Sequence, residues 1–390
     1  MKYFPLILGR SILLFIGLII DIYIAHITSI EARGEFHLIL TSTTLLSSIF
    51  LFGLHNSIVV KVANTKNLYY LFAHIIIITP LIIAMPFFIY LIPQKFLGAR
   101  YDIISIICFL LTMIILFRSF FLGISNDIYY IFLMLSDKIL LLFFLAFYSS
   151  EIYQEEIFID KLYLYSLIIS LTMGFLLIIK LKINNLIIIR KEKINFTEIT
   201  SFSAKNFFGD LFFQLNYRVG VYFIAYSEGN ESISLYMAVF LISQLPQQIP
   251  LFLSTLLFRD SAQDFNSSRT IKIASYSFLI ALILSAILYV FIDKITLLFY
   301  GNQYAHSTKY ISYFLLSSIL LSPTLVIANS LLGKKCSFEY MLIFGLGFFV
   351  TIVSISLSKL TSSIEIAASA LAVSAFSSLT FSILFLRKNA

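Results

Sequence analysis

The chain has 390 residues, of which 60% are hydrophobic and only 12% are charged. A soluble domain carries about a quarter charged residues, so this composition excludes water-soluble fold classes. Long runs such as 103–116 and 279–292 are apolar on every face. Barrel strands would alternate with a period of two, so these runs indicate spanning helices. The sequence therefore predicts an all-α polytopic membrane protein.

Apolar runs separated by polar breaks predict twelve spanning helices, each close to the length that crosses a bilayer. The first run is predicted to be a retained span rather than a cleaved signal peptide. The seventh and eighth runs are the least apolar. The predicted spans cover residues 5–28, 36–59, 69–92, 102–124, 128–149, 162–180, 202–226, 234–257, 273–292, 310–332, 338–358 and 364–386.

The positions of the Lys and Arg residues predict the orientation. With the N-terminus inside, seventeen lie on the cytoplasmic side and seven, including Arg33, lie in outer segments. The remaining three of the 27 lie within predicted spans. Cytoplasmic loops of membrane proteins carry the excess of basic residues, so both termini are predicted to be cytoplasmic. The net charge of +7 is thereby explained without a nucleic-acid partner.

No feature of the sequence signals an enzyme. Cys108 and Cys336 have no metal-ligand spacing, and the five histidines form no H-x-x-x-H pair. The longest polar breaks, around 150–161 and 190–200, are too short for a catalytic domain. We therefore expect no catalytic residues, no metal and no cofactor, and we expect the function to reside among the helices.

A basic stretch at 180–193 separates six predicted spans from six, and the two halves contain similar segments. Residues 118–123 before Tyr130 are echoed by 329–333 before Tyr340, with equal glycine-to-tyrosine spacing. Residues 33–36 have a weaker counterpart in 233–236. Two lobes of six helices are therefore predicted, at 1–195 and 196–390, and they share one orientation in the membrane.

Four segments resemble the polysaccharide flippases (Wzx-type) of the multidrug/oligosaccharidyl-lipid/polysaccharide exporter superfamily, and the resemblance extends over essentially the whole chain. Two positions depart from the family pattern: Gly220 stands where an acidic residue is frequent, and Ser234 replaces the usual glycine of the second repeat. The segments are Glu31-Ala-Arg-Gly-Glu-Phe36, Phe213-Gln-Leu-Asn-Tyr-Arg218, Leu235-Tyr-Met-Ala-Val239 and Phe299-Tyr-Gly-Asn-Gln-Tyr304.

The resemblance implies two six-helix lobes around a central cavity that opens to alternate sides of the membrane. It implies a cargo of oligosaccharide repeat units linked to undecaprenyl pyrophosphate, moved from the cytoplasmic to the outer leaflet of a bacterial inner membrane. The implied partners are this lipid-linked substrate, membrane lipid and other membrane proteins of polysaccharide assembly.

The seventh span contains the strongest polar cluster at predicted bilayer depth. Asn206, Asp210, Gln214 and Tyr217 recur at helical spacing, and Arg218 lies one turn beyond Gln214. Such a face is costly against lipid, so it is predicted to line a substrate cavity in which Arg218 attracts a phosphate. The alternative is that Asp210 and Arg218 form a structural ion pair between helices.

Three more charges lie in the fourth and fifth spans. Arg118 and Lys138 are cavity candidates, and Asp137 is a candidate for ion coupling or for pairing with Arg118. Because Asp137 and Lys138 are adjacent on a helix, they point about 100° apart and are not expected to face one partner. Arg118 could instead snorkel to the surface.

The eighth span carries Gln244 and Gln248 around Pro246, with Pro250 shortly after. Prolines bend a helix and free backbone carbonyls, as in transporter helices that border a cavity. The two glutamines are therefore cavity candidates, and a merely kinked packing helix is the alternative.

Two other functions stay open. A drug or cation antiporter of the same superfamily would use Asp21 of the first span for ion coupling. A membrane polymerase would need chemistry on an outer loop, for which the short acidic stretch 151–160 is the candidate. A lipid II flippase is disfavoured because such relatives usually have additional spans.

Overall fold

A computed structural model describes residues 4–97, 101–148, 158–184, 187–188, 196–358 and 362–389. The prediction of an all-α fold is confirmed, and three short 3-10 segments at 94–96, 245–247 and 302–310 accompany the α-helices. Those helices are α1 (Phe4–Ile27), α2 (Ile30–Leu51), α3 (Leu54–Thr65), α4 (Tyr69–Tyr90), α5 (Tyr101–Gly123), α6 (Asp127–Phe147), α7 (Phe158–Ile183), α8 (Phe196–Ser227), α9 (Asn230–Ser243), α10 (Gln248–Gln263), α11 (Ser267–Tyr300), α12 (Ile311–Gly333), α13 (Ser337–Leu357) and α14 (Ser363–Asn389).

The protein is a multi-pass membrane protein. Within the described residues, nine helices are long and apolar enough to cross a membrane, or ten if α9 and α10 form one bent span. The apolar part of α1, Ser11–Ile27, is shorter. The twelve-span prediction counted α1 and the polar α8 as spans, and the helix α8 is present despite its polarity.

Two predicted spans differ from the observed helices. The second, predicted at 36–59, is divided into α2 and α3 because Phe52 and Gly53 adopt positive φ values of 47° and 69°. The eighth, predicted at 234–257, is divided into α9 and α10 with a bend of 40° around the 3-10 segment that contains Pro246. The proline bend was anticipated, whereas nothing in the local sequence except Gly53 pointed to the first break.

The chain divides into two compact units. Unit 1 contains Met1–Ile20 and Ile39–Phe207, and unit 2 contains Asp21–Leu38 and Phe208–Ala390. The predicted division at 195/196 stays a prediction, and residues 191–195 and most of the acidic stretch 151–160 lie outside the described residues.

Unit 1 is built around α5. This helix packs on α3, α4, α6 and α7, and α3 also packs on α4, as α6 does on α7. Its side chains from Leu116 to Phe121 are mostly buried. Gly174 on α7 lies against the Phe117 ring, because a Cβ at this glycine would be 2.7 Å from the ring edge. A small residue there lets α7 approach α5 closely.

Unit 2 repeats this packing around α12. Here α12 contacts α10, α11, α13 and α14, and the pairs α10–α11 and α13–α14 also pack. Each contact corresponds to one in unit 1 when α3–α7 are matched with α10–α14. The internal repeat of the sequence therefore corresponds to a repeat of helix packing.

The sequence echo after the fourth and tenth predicted spans marks equivalent helix ends. Beyond Gly123, Ser125 has a φ of 59°, and Lys335 beyond Gly333 has a φ of 68°. The two turns close by the same backbone hydrogen bonds, from Asn126 N–H to Phe121 O (3.0 Å) and from Cys336 N–H to Leu331 O (2.9 Å). These are helix terminations in which a left-handed residue satisfies the last carbonyls.

Candidate functional site

A buried charged cluster lies within unit 2. We call it the Asp21 cluster. It draws on α1, α2, α9, α11 and the 3-10 segment after α11. Every member is less than 9% exposed, so each polar group depends on its neighbours for hydrogen bonding. The cluster consists of Asp21, Arg33, His37, Ser234, Tyr300 and Tyr304.

Asp21 and Arg33 form the centre of the cluster. The guanidinium donates from Nη2 to Asp21 Oδ2 at 2.8 Å and from Nε to Asp21 Oδ1 at 3.3 Å. The Tyr300 hydroxyl also donates to Asp21 Oδ2, at 2.6 Å, and His37 Nε2 lies 2.9 Å from Asp21 Oδ1. The carboxylate is thus neutralised by a two-point arginine contact and further hydrogen bonding.

The remaining guanidinium surface contacts α9 and two aromatic rings. Arg33 Nη1 donates to the Ser234 carbonyl at 2.9 Å and to its hydroxyl at 3.0 Å. The guanidinium carbon lies 4.8 Å from the centre of the Tyr300 ring and 4.9 Å from that of Tyr304, within cation–π range. The Ser234 and Tyr304 hydroxyls are 3.1 Å apart. Ser234, noted as a departure from the family pattern, therefore supplies two hydrogen-bond acceptors for Arg33.

A tight connection between α1 and α2 brings these charges together. Only Thr28 and Ser29 separate the helices, and the Ser29 hydroxyl accepts the Ala32 N–H at 3.1 Å as an N-cap. Asp21 lies six residues before the end of α1 and Arg33 three residues after the start of α2, so each is within about 9 Å of the turn along its helix axis. The two charged side chains can therefore meet.

The position of Arg33 differs from the one predicted from the sequence. It was expected in an outer segment before the second span, but α2 begins at Ile30 and the Arg33 side chain is 0% exposed. The reason is Asp21, which provides the opposite charge that a buried guanidinium requires. The motif segments 31–36 and 299–304, quoted for the family resemblance, thus meet at one buried site.

The start of α2 packs directly against the start of α9. A Cβ at Gly34 would lie 1.8 Å from the Asn230 carbonyl oxygen, so only glycine permits this approach. Arg33 and Gly34 are the fourth and fifth residues of α2, and Ile233 and Ser234 occupy the same places in α9. The two segments of the weak sequence repeat therefore lie at equivalent helix starts, and these helix starts contact each other.

The polar residues of the seventh predicted span lie on α8. Arg218 Nε donates to Gln214 Oε1 at 3.0 Å, and Asp210 accepts from the Tyr340 hydroxyl of α13 at 2.9 Å. The Tyr217 hydroxyl accepts from Gln247 Nε2 at 2.8 Å. These contacts all lie within unit 2. The substrate role of these residues stays a prediction.

Asn206 is on the same helix but belongs to unit 1. Its side chain is 0% exposed, and its amide nitrogen and oxygen have no hydrogen-bond partner among the described residues. Two unpaired buried polar atoms are costly, and nothing among the described residues compensates for burying this amide. Its cavity role stays a prediction.

Arg118, Asp137 and Lys138 form a separate group in unit 1. Arg118 Nη2 contacts Asp137 Oδ1 at 2.7 Å and also donates to the Leu133 carbonyl at 2.9 Å, so it faces α6. Lys138 Nζ lies 3.6 Å from Asp137 Oδ2 and 5.2 Å from the centre of the Tyr163 ring. Asp137 and Lys138 thus have different partners in Arg118 and Tyr163, as expected, and the flexible lysine stem also brings its ammonium close to Asp137.

Gln244 and Gln248 flank the bend of the eighth span. Gln244 follows the last residue of α9, and Gln248 opens α10. Both side chains are half-buried. Their position at the bend agrees with the reason for which they were chosen, and contact with a substrate stays a prediction. No group of His, Cys, Asp or Glu that could hold a metal ion occurs among the described residues.

Five members of the Asp21 cluster were not singled out from the sequence as site residues: Arg33, His37, Ser234, Tyr300 and Tyr304. Tyr300 and Tyr304 are in a quoted motif, so the motif itself was the available signal. His37 lies one helical turn beyond Arg33, a spacing that places both on one face of α2. Without the fold, nothing connected either residue with Asp21.

The comparison with solved structures identifies the fold, whereas the two sequence comparisons give no match. No protein-family model matches the sequence, and neither does any curated protein. Solved structures do match. An outward-facing multidrug resistance MATE family transporter of the MOP superfamily superposes with a TM-score of 0.75 at 12% identity, covering 99% of this chain and 94% of that chain.

Two other MATE structures give the same result. MATE in complex with MaL6 superposes with a TM-score of 0.74 at 12% identity, again covering 99% of this chain and 94% of that one. A point mutant of the Vibrio cholerae MATE transporter VcmN has a TM-score of 0.69 at 14% identity, with coverage of 100% and 95%. Over its whole length, the chain therefore has the fold of the MATE transporters.

Proposed function

We propose that the protein is a membrane transporter that works by alternating access and catalyses no covalent reaction. The observation that carries the proposal is the whole-chain likeness to MATE structures, together with the repeated packing of α3–α7 and α10–α14. Secondary transporters are commonly built from such repeats, one of which moves against the other around a substrate site.

For the cargo, we propose a lipid-linked oligosaccharide, moved across the inner membrane of a bacterium. The charges within the helices support an anionic cargo. Asp21 and Asp137 are each engaged by a built-in arginine, so an incoming organic cation would have to displace it. Arg218 donates to the neutral amide of Gln214 through Nε, and the planar fork of a guanidinium suits phosphate. The amides and hydroxyls of α8 suit sugar hydroxyls.

A drug or cation antiporter is the second candidate, and the structural neighbours support it better than the flippase, because they are MATE transporters and one is a multidrug resistance transporter. Under this hypothesis, Asp21 or Asp137 would couple transport to an ion. That coupling would require Arg33 or Arg118 to release the carboxylate during the transport cycle.

Lipid extraction and mass spectrometry of a strain that lacks the protein, with analysis of its surface glycan, separates these candidates. The flippase hypothesis predicts complete repeat units stranded on their lipid carrier and loss of the surface polymer. An unchanged lipid profile with new sensitivity to organic cations would assign the protein to the antiporters. Unpolymerised repeat units at the surface would instead indicate a polymerase and contradict the transporter proposal.

A further inference from the structure

A groove runs along α12 in unit 2, between α11 and α14. Both flanking helices pack on α12, and the groove has a volume of about 570 Å³. Ile271 and Phe278 line it from α11, and Ile383 lines it from α14. Pro323 and Ile327 of α12 form its floor. Apart from one serine and one arginine, its lining is apolar, and a volume of this size is typical of a ligand site.

The groove is nearly as deep as one leaflet of a bilayer. Its lining residues on α11 run from Ile271 to Leu279, eight residues further, which corresponds to about 12 Å along the axis. One leaflet of the hydrocarbon core measures about 15 Å. Ile271 and Leu279 are 52% and 50% exposed, so the groove is open along its side. These dimensions fit an acyl chain that lies parallel to the helices.

A basic rim surrounds one end of the groove. α11 starts, and α12 and α14 end, on this side, and Arg387 itself lines the groove two residues before the end of α14. Lys272, next to the lining residue Ile271, and Arg387 are both exposed. In the segments 259–272, 334–339 and 387–389, six exposed Lys and Arg residues stand against three carboxylates.

The positive charge of this rim favours a lipid with an anionic headgroup. Arginine binds phosphate through its planar fork, and basic pockets between membrane helices bind anionic lipid headgroups. Of the carboxylates in these segments, Asp260 is already paired, with Arg269 at 2.7 Å. A phosphate at Arg387 would thus lie at the mouth of an apolar groove of the right depth for its own acyl chain.

We propose that this groove is a binding site for one anionic phospholipid of the adjoining leaflet, with its phosphate at Arg387 and an acyl chain along Phe278 and Ile327. The site is separate from the cargo residues of α8 and does not depend on which cargo the protein carries. Its expected role is to favour anionic membranes as the environment of unit 2.

The absence of tryptophan from the chain allows a direct test. Phe278→Trp introduces a single fluorophore in the groove, and Phe291→Trp, at an exposed position further along α11, serves as the matched control. Each variant is reconstituted into vesicles that contain brominated phosphatidylglycerol or brominated phosphatidylcholine at equal mole fraction. Brominated chains quench a tryptophan that they contact.

We expect phosphatidylglycerol to quench the groove fluorophore of Phe278→Trp at a mole fraction about fivefold lower than phosphatidylcholine, given the usual contribution of one basic residue near an anionic surface. Arg387→Gln should abolish this preference, and the control position should show none. Native mass spectrometry of the unsubstituted protein should show one retained phosphatidylglycerol in preference to phosphatidylcholine.

Equal quenching of the groove fluorophore by the two lipids would overturn the proposal, as would a preference that survives Arg387→Gln. Displacement of phosphatidylglycerol by an equimolar polyprenyl phosphate would also overturn it, because the groove would then belong to the cargo. If the tryptophan variants fail to fold, an absence of lipid preference in native mass spectrometry of the unsubstituted protein decides against the site.

Discussion

Arg33 and Asp21 form a buried ion pair across the turn between α1 and α2, with Arg33 Nη2 and Asp21 Oδ2 2.8 Å apart and side-chain exposures of 0% and 7%. The same guanidinium binds Ser234 at the start of α9. The pair therefore fixes the ends of α1 and α2 to the other helices of unit 2. A charge buried in this way is tolerable only while its partner is present.

Removing either charge of this pair should destabilise the protein strongly. We expect Arg33→Gln and Asp21→Asn each to cost about 3–5 kcal/mol, because each leaves a buried charge uncompensated. The double variant should lose much less than the sum of the two. Thermal unfolding in detergent, combined as a double-mutant cycle, measures the coupling, and additive losses would show that the pair does not act as a unit.

The close approach of α2 and α9 at Gly34 gives a second prediction. Gly34→Ala should cost about 1–3 kcal/mol, because its Cβ would lie 1.8 Å from the backbone oxygen of Asn230, and backbone cannot move aside cheaply. Gly17→Ala is the matched control, since no atom lies within 4 Å of a Cβ there. It should be neutral or stabilising by up to about 1 kcal/mol, from helix propensity alone.

Melting temperatures of the two alanine variants test this difference. Equal melting temperatures, or a greater loss at Gly17, would contradict the observed contact between the helix starts.

A third prediction concerns pH and the connection between α8 and α9. Burial alone would raise the pKa of Glu228, but hydrogen bonds from Ser363 and Ser232 outweigh burial and hold that pKa below its ordinary value. One of these bonds is from the Ser363 N–H at the start of α14, at 3.0 Å. The negative charge is favourable at a helix N-terminus.

Because the pKa of Glu228 is lower in the folded protein, its contribution to stability is complete above the unfolded pKa, at about pH 4.3. It should be lost as the pH falls through the folded value. Glu228→Gln should therefore lower the melting temperature at pH 7 and have a smaller effect at pH 3. An effect that grows toward acid pH would have the wrong sign and exclude this role.

The proposed phosphate contact at Arg218 gives a fourth prediction. Arg218→Ala should reduce export of the surface glycan at least tenfold, as expected when one strong charge-assisted contact to the cargo is lost. We expect its expression and melting temperature to change little, because the Arg218 side chain is only half-buried. Arg269→Ala, which removes an exposed ion pair with Asp260, is the matched control.

Complementation of a deletion strain measures both variants. Normal export with Arg218→Ala at equal protein level would remove Arg218 from the transport pathway. A loss of export with Arg269→Ala would show that the assay responds to any missing surface charge.

The fold could be predicted from the sequence because its signals are strong and local. Apolar runs of spanning length produce the helices, and the glycine-to-tyrosine echo at Gly123 and Gly333 marks two equivalent turns. The break at Phe52 was not predicted, because a helix can end at a glycine within an apolar run without any change in hydropathy.

The site was harder to predict, because burial depends on contacts between residues far apart in sequence. Asp21 was a candidate for ion coupling because it lies within the first predicted span. Its hydrogen bond with Tyr300, however, joins residues that are 279 positions apart in the sequence. Arg33 looked like an outer-loop cation for the same reason: only the fold reveals the carboxylate and rings that surround it. Periodicity predicts the face of a helix and not its partner on another helix.

Transport by the purified protein decides whether this chain moves a lipid-linked saccharide. The protein is reconstituted into liposomes with a lipid-linked oligosaccharide in both leaflets, and an impermeant lectin reports how fast the inner pool becomes accessible. In parallel, uptake of a fluorescent organic cation is followed against an imposed proton or sodium gradient. We expect protein-dependent movement of the saccharide lipid. Movement of the cation instead would show that the protein is a transporter of the second candidate cargo. Movement of neither, with correctly folded protein, would contradict the proposal that this fold serves transport here.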